Sequence, residues 1–113
     1  QHGYDILLNN TDSDLVKFEM DLYWVVRAGY NPVELFKKHP GRFHLWHVKD
    51  MLKTDKTKNT EIGNGTVDFK NIFASAKLAG VKHYIVEQEN TYMPDIFTSI
   101  KTSCSYTKNT LLK

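Results

Sequence analysis

Three short apolar runs in this chain each close on a side chain able to ligate a metal ion. They are Leu15-Val16-Lys17-Phe18-Glu19-Met20-Asp21, Phe43-His44-Leu45-Trp46-His47-Val48 and Tyr84-Ile85-Val86-Glu87. If each run is a parallel strand, Asp21, His47 and Glu87 lie at three C-terminal strand ends and converge on one rim of a sheet. Two carboxylates and an imidazole suit a divalent cation such as Mn²⁺, Zn²⁺, Co²⁺ or Mg²⁺. Strand alternation sharpens the point, because Glu19 shares a face with Asp21, Leu45 and Lys49 with His47, and Ile85 and Glu89 with Glu87. A charge on an enclosed face must be paired or metal-bound. Each residue also has an ordinary reading. Asp21 could cap a following helix, His47 could be a satisfied core histidine, and Glu87 could pair with Lys49 or Arg42.

Two further groups flank these ends. Lys49-Asp50 directly follows His47. Lys49 is a candidate to hold a substrate oxygen, and Asp50 to orient His47 by accepting its second ring proton; the pair could equally be a loop-entry ion pair. Gly63-Asn64-Gly65 precedes a helix start, and its amides are candidates for binding hydroxyl or phosphate oxygens, although a flexible turn reads the same way.

The elements that must position these residues alternate. Residues 4–10 read as the end of a short helix, and residues 15–21 as a strand. A helix over 23–28 stops at Gly29. Asn31-Pro32-Val33-Glu34 starts another, with Asn31 as cap, Pro32 at the first helical position and Glu34 reaching back; it runs to His39 and ends at Pro40-Gly41. Residues 43–48 are the second strand. A polar loop of about 18 residues follows over 49–66, a length usually functional or disordered. Asp68 caps a helix whose Ile72, Phe73, Ala76 and Ala79 make one buried face, closed by Gly80. Residues 82–88 are the third strand and 94–108 the last helix. Such a β-α-β-α-β-α series predicts parallel strands with right-handed crossovers. Three strands cannot close a barrel, and an eight-stranded one needs about 250 residues. The expected fold is therefore α/β, as the later part of a larger barrel, with residues 1–113 as one partial domain.

Composition narrows the function classes. At 113 residues, 41% hydrophobic and 25% charged, the chain can bury a core. A formal charge of +2 with scattered lysines argues against nucleic acid as a partner. No apolar stretch approaches the roughly 20 residues of a membrane span. The start Gln1-His2-Gly3, without Met, suggests that the natural N-terminus lies upstream. Cys104 is alone, which leaves the compartment open, and its place in the series Phe97, Ile100, Cys104, Leu111 reads as a buried core thiol.

The run 16–24, Ala28-Gly29, Asn31-Pro32, Gly41-Arg42, His47-Val48-Lys49-Asp50, Gly63-Asn64-Gly65-Thr66-Val67-Asp68-Phe69 and Val86-Glu87-Gln88-Glu89 resembles the sugar phosphate isomerase/epimerase family of xylose-isomerase-like TIM barrels. The resemblance implies the C-terminal portion, about strands six to eight, of a (β/α)8 barrel. It implies a divalent metal held by Glu, Asp, His and Glu, with Asp21, His47 and Glu87 on the last three positions and the first glutamate upstream. It departs from the ketose epimerase branch, which has a His where Trp24 stands and an Arg where Lys53 stands; both positions become candidate substrate contacts.

The activity implied is proton transfer next to a sugar or sugar phosphate carbonyl, through an enediolate. Glu87 would be one acid/base group, Lys49 would hold a substrate oxygen, and Trp24 would wall the sugar ring. Inosose dehydratases share the barrel and are the alternative, as is a non-catalytic sugar-binding fragment. The apurinic endonuclease branch is disfavoured because its extra His and Asp ligands are missing. The 113-residue chain alone is expected to be inactive, and its unpaired strand edges invite self-association.

Overall fold

The computed structural model describes residues 2–113; the expectation raised by Gln1 lies outside the described residues. The chain runs α1 (Gly3–Asn9), β1 (Phe18–Asp21), α2 (Leu22–Arg27), α3 (Pro32–Lys38), β2 (Phe43–Val48), β3 (Asp50–Met51), β4 (Asn59–Thr60), α4 (Phe69–Ala74), α5 (Ala76–Ala79), β5 (His83–Val86) and α6 (Ile96–Tyr106), which continues into a π-helical turn, Thr107–Leu111. The main sheet has order β1-β2-β5 and is parallel throughout. An α/β fold of parallel strands is thus established.

The register carries the architecture. Met20 pairs with Trp46 and Trp46 with Tyr84, so three large side chains form one row facing the helices. Trp46 is fully buried. It stacks on Phe36 of α3, with ring centroids 5.0 Å apart, and meets Phe73 of α4 edge-on at 5.4 Å. Each large apolar side chain so buried contributes about 1.5–3 kcal/mol, whereas an exposed ion pair contributes about 0–1 kcal/mol. The aromatic layer therefore fixes how the sheet sits. Side chains alternate along a strand, so the next row, Asp21 beside His47, must face the opposite way.

Caps act where the sequence places them. Asn31 accepts the Val33 amide (2.9 Å) and Asp68 the Asn71 amide (3.2 Å). Glu34 does not reach back to Asn31; it pairs with Lys37 at 2.8 Å instead. Gly29 ends α2 and Gly80 ends α5, both at positive φ. Arg42 is buried and binds the carbonyls of Leu8 and Val16 and the Thr11 hydroxyl. It ties α1 to the sheet and does not meet Glu87.

Three further expectations change. The first strand begins at Phe18, because the Asp12 carboxylate accepts the amides of Asp14 and Leu15 and bends that stretch into a turn. The segment 49–66 is ordered as an antiparallel hairpin, with Asp50 opposite Thr60. Its organiser is Asp50, whose fully buried carboxylate accepts amides from Met51 (2.8 Å), Gly63 (2.9 Å), Gly65 (3.0 Å) and Val67 (3.1 Å). Burial pushes the Asp50 carboxyl upward, against the opposing pull of these amides. Gly65 has no alternative there, since a Cβ would collide with that carboxylate and with the Met51 carbonyl.

The last helix is turned the other way from expectation. It buries Ser99, Ser103 and Thr107 and exposes Phe97, Ile100 and Cys104. The cause is Glu61, buried beneath it, which accepts from the Ser99 hydroxyl (2.5 Å), the Met93 amide (3.1 Å) and the Thr60 hydroxyl (3.0 Å). Burial alone would raise the Glu61 carboxyl, but the Ser99 hydroxyl, its own backbone amide, the Thr60 hydroxyl and Gln88 hold it below its ordinary value. Ser103 donates nothing to Glu61; its hydroxyl accepts the Ile62 amide at 3.0 Å. Buried polar groups must be matched, so the hydroxyl face wins over the apolar one.

Asp50→Asn replaces one carboxylate oxygen with a donor facing donors. At about 1–3 kcal/mol per buried amide left unsatisfied, the substitution should lower the urea unfolding midpoint by an amount equivalent to at least about 2 kcal/mol. An unchanged midpoint would remove Asp50 from its role as loop organiser.

Candidate metal centre

The strand register brings Asp21 directly beside His47, and the Glu87 amide donates to the Val48 carbonyl at 3.0 Å, extending the pairing one step past β5. The three side chains meet at the C-terminal rim. His47 Nδ1 lies 3.6 Å from Asp21 Oδ2 and 3.5 Å from Glu87 Oε2. One ligand atom from each residue falls within 4.8 Å of the others. Donors about 2.0–2.2 Å from a shared ion stand roughly 3–4.5 Å apart, so the donor set and its spacing fit a divalent cation.

Asp21 serves two purposes. Its Oδ1 accepts the Trp24 amide at 3.1 Å and caps α2, leaving Oδ2 for the rim. Burial, and to a lesser extent the Glu87 charge, raises the Asp21 carboxyl above its ordinary value despite Trp24, Lys49 and His47. Lys49 is fully buried, yet its ammonium reaches Glu89 at 2.6 Å and Glu87 at 3.5 Å. It also lies over the Tyr23 and Trp24 rings, 5.5 and 5.8 Å from their centroids. Burial would depress it, but the Glu89 hydrogen bond and the charges of Glu87 and Asp21 hold it above the ordinary lysine value.

The expected partner of His47 is not the one present. Asp50 spends both oxygens on backbone amides, and Glu19 Oε1 instead meets His47 Nε2 at 2.9 Å. The amides of Gly63 and Gly65 are likewise taken up by Asp50, so they do not form an open oxygen-binding nest. Lys53 is exposed on the segment joining β3 and β4. Trp24 is half exposed and lines a cleft of about 360 Å³ together with Glu19, Asp21, Val25, Tyr30 and Leu35. Glu19 and Glu89 are the residues that sequence reasoning placed on the right face without giving them a task. The available signal was their two-residue spacing from Asp21 and Glu87.

No family model matches the chain. A solved sugar phosphate isomerase/epimerase from Parabacteroides distasonis ATCC 8503 superposes with a TM-score of 0.79 at 33% identity, over 95% of this chain and 35% of that one. The chain resembles the sugar phosphate isomerase/epimerases. Curated inosose dehydratases of Clostridium botulinum strains Eklund 17B and Alaska E43 are each 33% identical over 85 residues, covering 61% of this chain and 28% of theirs. The chain thus spans about a third of the length of these proteins. Among the described residues no helix is long and apolar enough to cross a membrane.

Lys49 is the cation nearest the rim carboxylates. Lys49→Met should destabilise the metal-free chain by about 1–3 kcal/mol and make added Mg²⁺ or Zn²⁺ more stabilising than in the wild type. Thermal unfolding with and without metal reads both effects. A variant more stable than the wild type in EDTA would contradict the charge balance described.

Proposed function

We propose that the chain is the C-terminal part, about strands six to eight, of a (β/α)8 barrel enzyme that moves a proton next to a sugar or sugar phosphate carbonyl through an enediolate, as an isomerase or epimerase. The observation that supports this most is the meeting of Asp21, His47 and Glu87 at three successive parallel strand ends in a chain resembling such enzymes. Asp21, His47 and Glu87 would hold the divalent cation. When bound, that ion supplies Lewis-acid polarisation of a carbonyl oxygen.

The protein groups divide the remaining work. Glu87 presents Oε2 to the rim as a ligand, and as one acid/base group it would carry the proton on its other oxygen, Oε1. The Lys49 ammonium, fixed by Glu89 and the Tyr23 and Trp24 rings, would hold a substrate oxygen and supply positive charge to a developing oxyanion. Trp24 offers an apolar wall in the cleft for the carbon face of a sugar ring. The outer edges of β1 and β5, unpaired among the described residues, would receive the neighbouring strands of the barrel. In the isolated chain the same edges favour self-association.

The identity to inosose dehydratases favours a second reading, in which the same proton abstraction is followed by loss of water. Product analysis of the full-length protein separates the two, since only dehydration yields an unsaturated ketone. In that protein Glu87→Gln should lower kcat by about 10²- to 10⁴-fold. Near-normal turnover would remove Glu87 from the acid/base role.

A further inference from the structure

We propose that Glu19 is a positioning residue for the candidate metal centre: it holds His47 through Nε2 and so makes Nδ1 the ligating nitrogen. The proposal rests on the metal reading above and deepens it. An imidazole has two nitrogens, and the hydrogen bond at one decides what the other can do. Nε2 lies 2.9 Å from Glu19 Oε1, while Nδ1 lies 3.6 and 3.5 Å from Asp21 Oδ2 and Glu87 Oε2. An ionised carboxylate only accepts. With a cation between Asp21 and Glu87 held at Nδ1, the ring would keep its proton on Nε2, the nitrogen that Glu19 Oε1 approaches to 2.9 Å.

The backbone enforces this arrangement. Glu19 sits two residues before Asp21 on the same strand, so both point to the same face of the sheet. Glu19 pairs with Leu45 and Asp21 with His47, which sets Glu19 diagonally behind the histidine ring. Asp50, the other carboxylate adjacent in sequence, is fully engaged by four amides. Glu19 is half exposed and lines the cleft beside Trp24.

Calorimetric titration of the metal-free chain with Zn²⁺ alone, for wild type, Glu19→Ala and Glu19→Gln, tests the role. Nitrogen NMR of the His47 ring in the Zn²⁺-loaded wild type needs no variant. The expected result is Nδ1 coordination with a proton on Nε2, and about 10- to 100-fold weaker binding in Glu19→Ala. Glu19→Gln keeps an accepting oxygen and should lose less. Binding by Glu19→Ala within about twofold of wild type, or coordination through Nε2, would overturn the proposal while leaving the metal centre standing. Wild-type protein that takes up no Zn²⁺ would instead overturn the metal reading, and the role of Glu19 with it.

Discussion

Parallel pairing of β1, β2 and β5 in one register is the constraint on which everything else depends. It sets Met20, Trp46 and Tyr84 as one row beneath the helices. It then leaves Asp21 and His47 side by side on the opposite face, with Glu87 one step beyond. A slip of one residue would exchange the two rows: on β1 it would turn Glu19 or Asp21 under the helices in place of Met20, and on β2 it would turn Trp46 out to the opposite face. Core packing and site geometry are therefore the same choice made once. The aromatic stack of Phe36, Trp46 and Phe73 supplies the energy that holds that choice in place.

The rim gathers more negative charge than its own cations balance. Glu19, Asp21, Glu87 and Glu89 surround one lysine and one histidine. Burial raises the Asp21 carboxyl in these surroundings, as expected where carboxylates crowd with limited solvent. A divalent cation among Asp21, His47 and Glu87 would relieve that crowding. Lys49 is held too firmly, by Glu89 and two aromatic rings, to swing in as a substitute. The result is an arrangement in which the candidate ligands, the carboxylate beside His47 and the buried ammonium all come from strand ends and the residues next to them.

Much of this was readable from residue types. The Asn31-Pro32 start, the Asp68 cap, the Gly29 and Gly80 stops and the Phe43–Val48 strand follow from local chemistry that tertiary contacts did not override. The three rim residues were readable because each ends an apolar run. What escaped was long-range polar matching. Nothing local tells Asp50 to collect amides from Gly63, Gly65 and Val67. Nothing local turns α6 to bury Ser99 and Ser103 and expose Cys104; Glu61, far away in sequence, dictates it. Glu19 was placed on the correct face by alternation, but its partner depended on how the His47 ring is rotated.

The most direct measurement is a crystal structure of the chain grown with Zn²⁺, with the ion located by its anomalous scattering. The account predicts one ion about 2.0–2.2 Å from Asp21 Oδ2, His47 Nδ1 and Glu87 Oε2. An empty rim at millimolar Zn²⁺, with Lys49 still bridging Glu87 and Glu89, would contradict it. Asp21 would then remain a helix cap and Glu87 an ion-pair partner, with His47 held simply by Glu19.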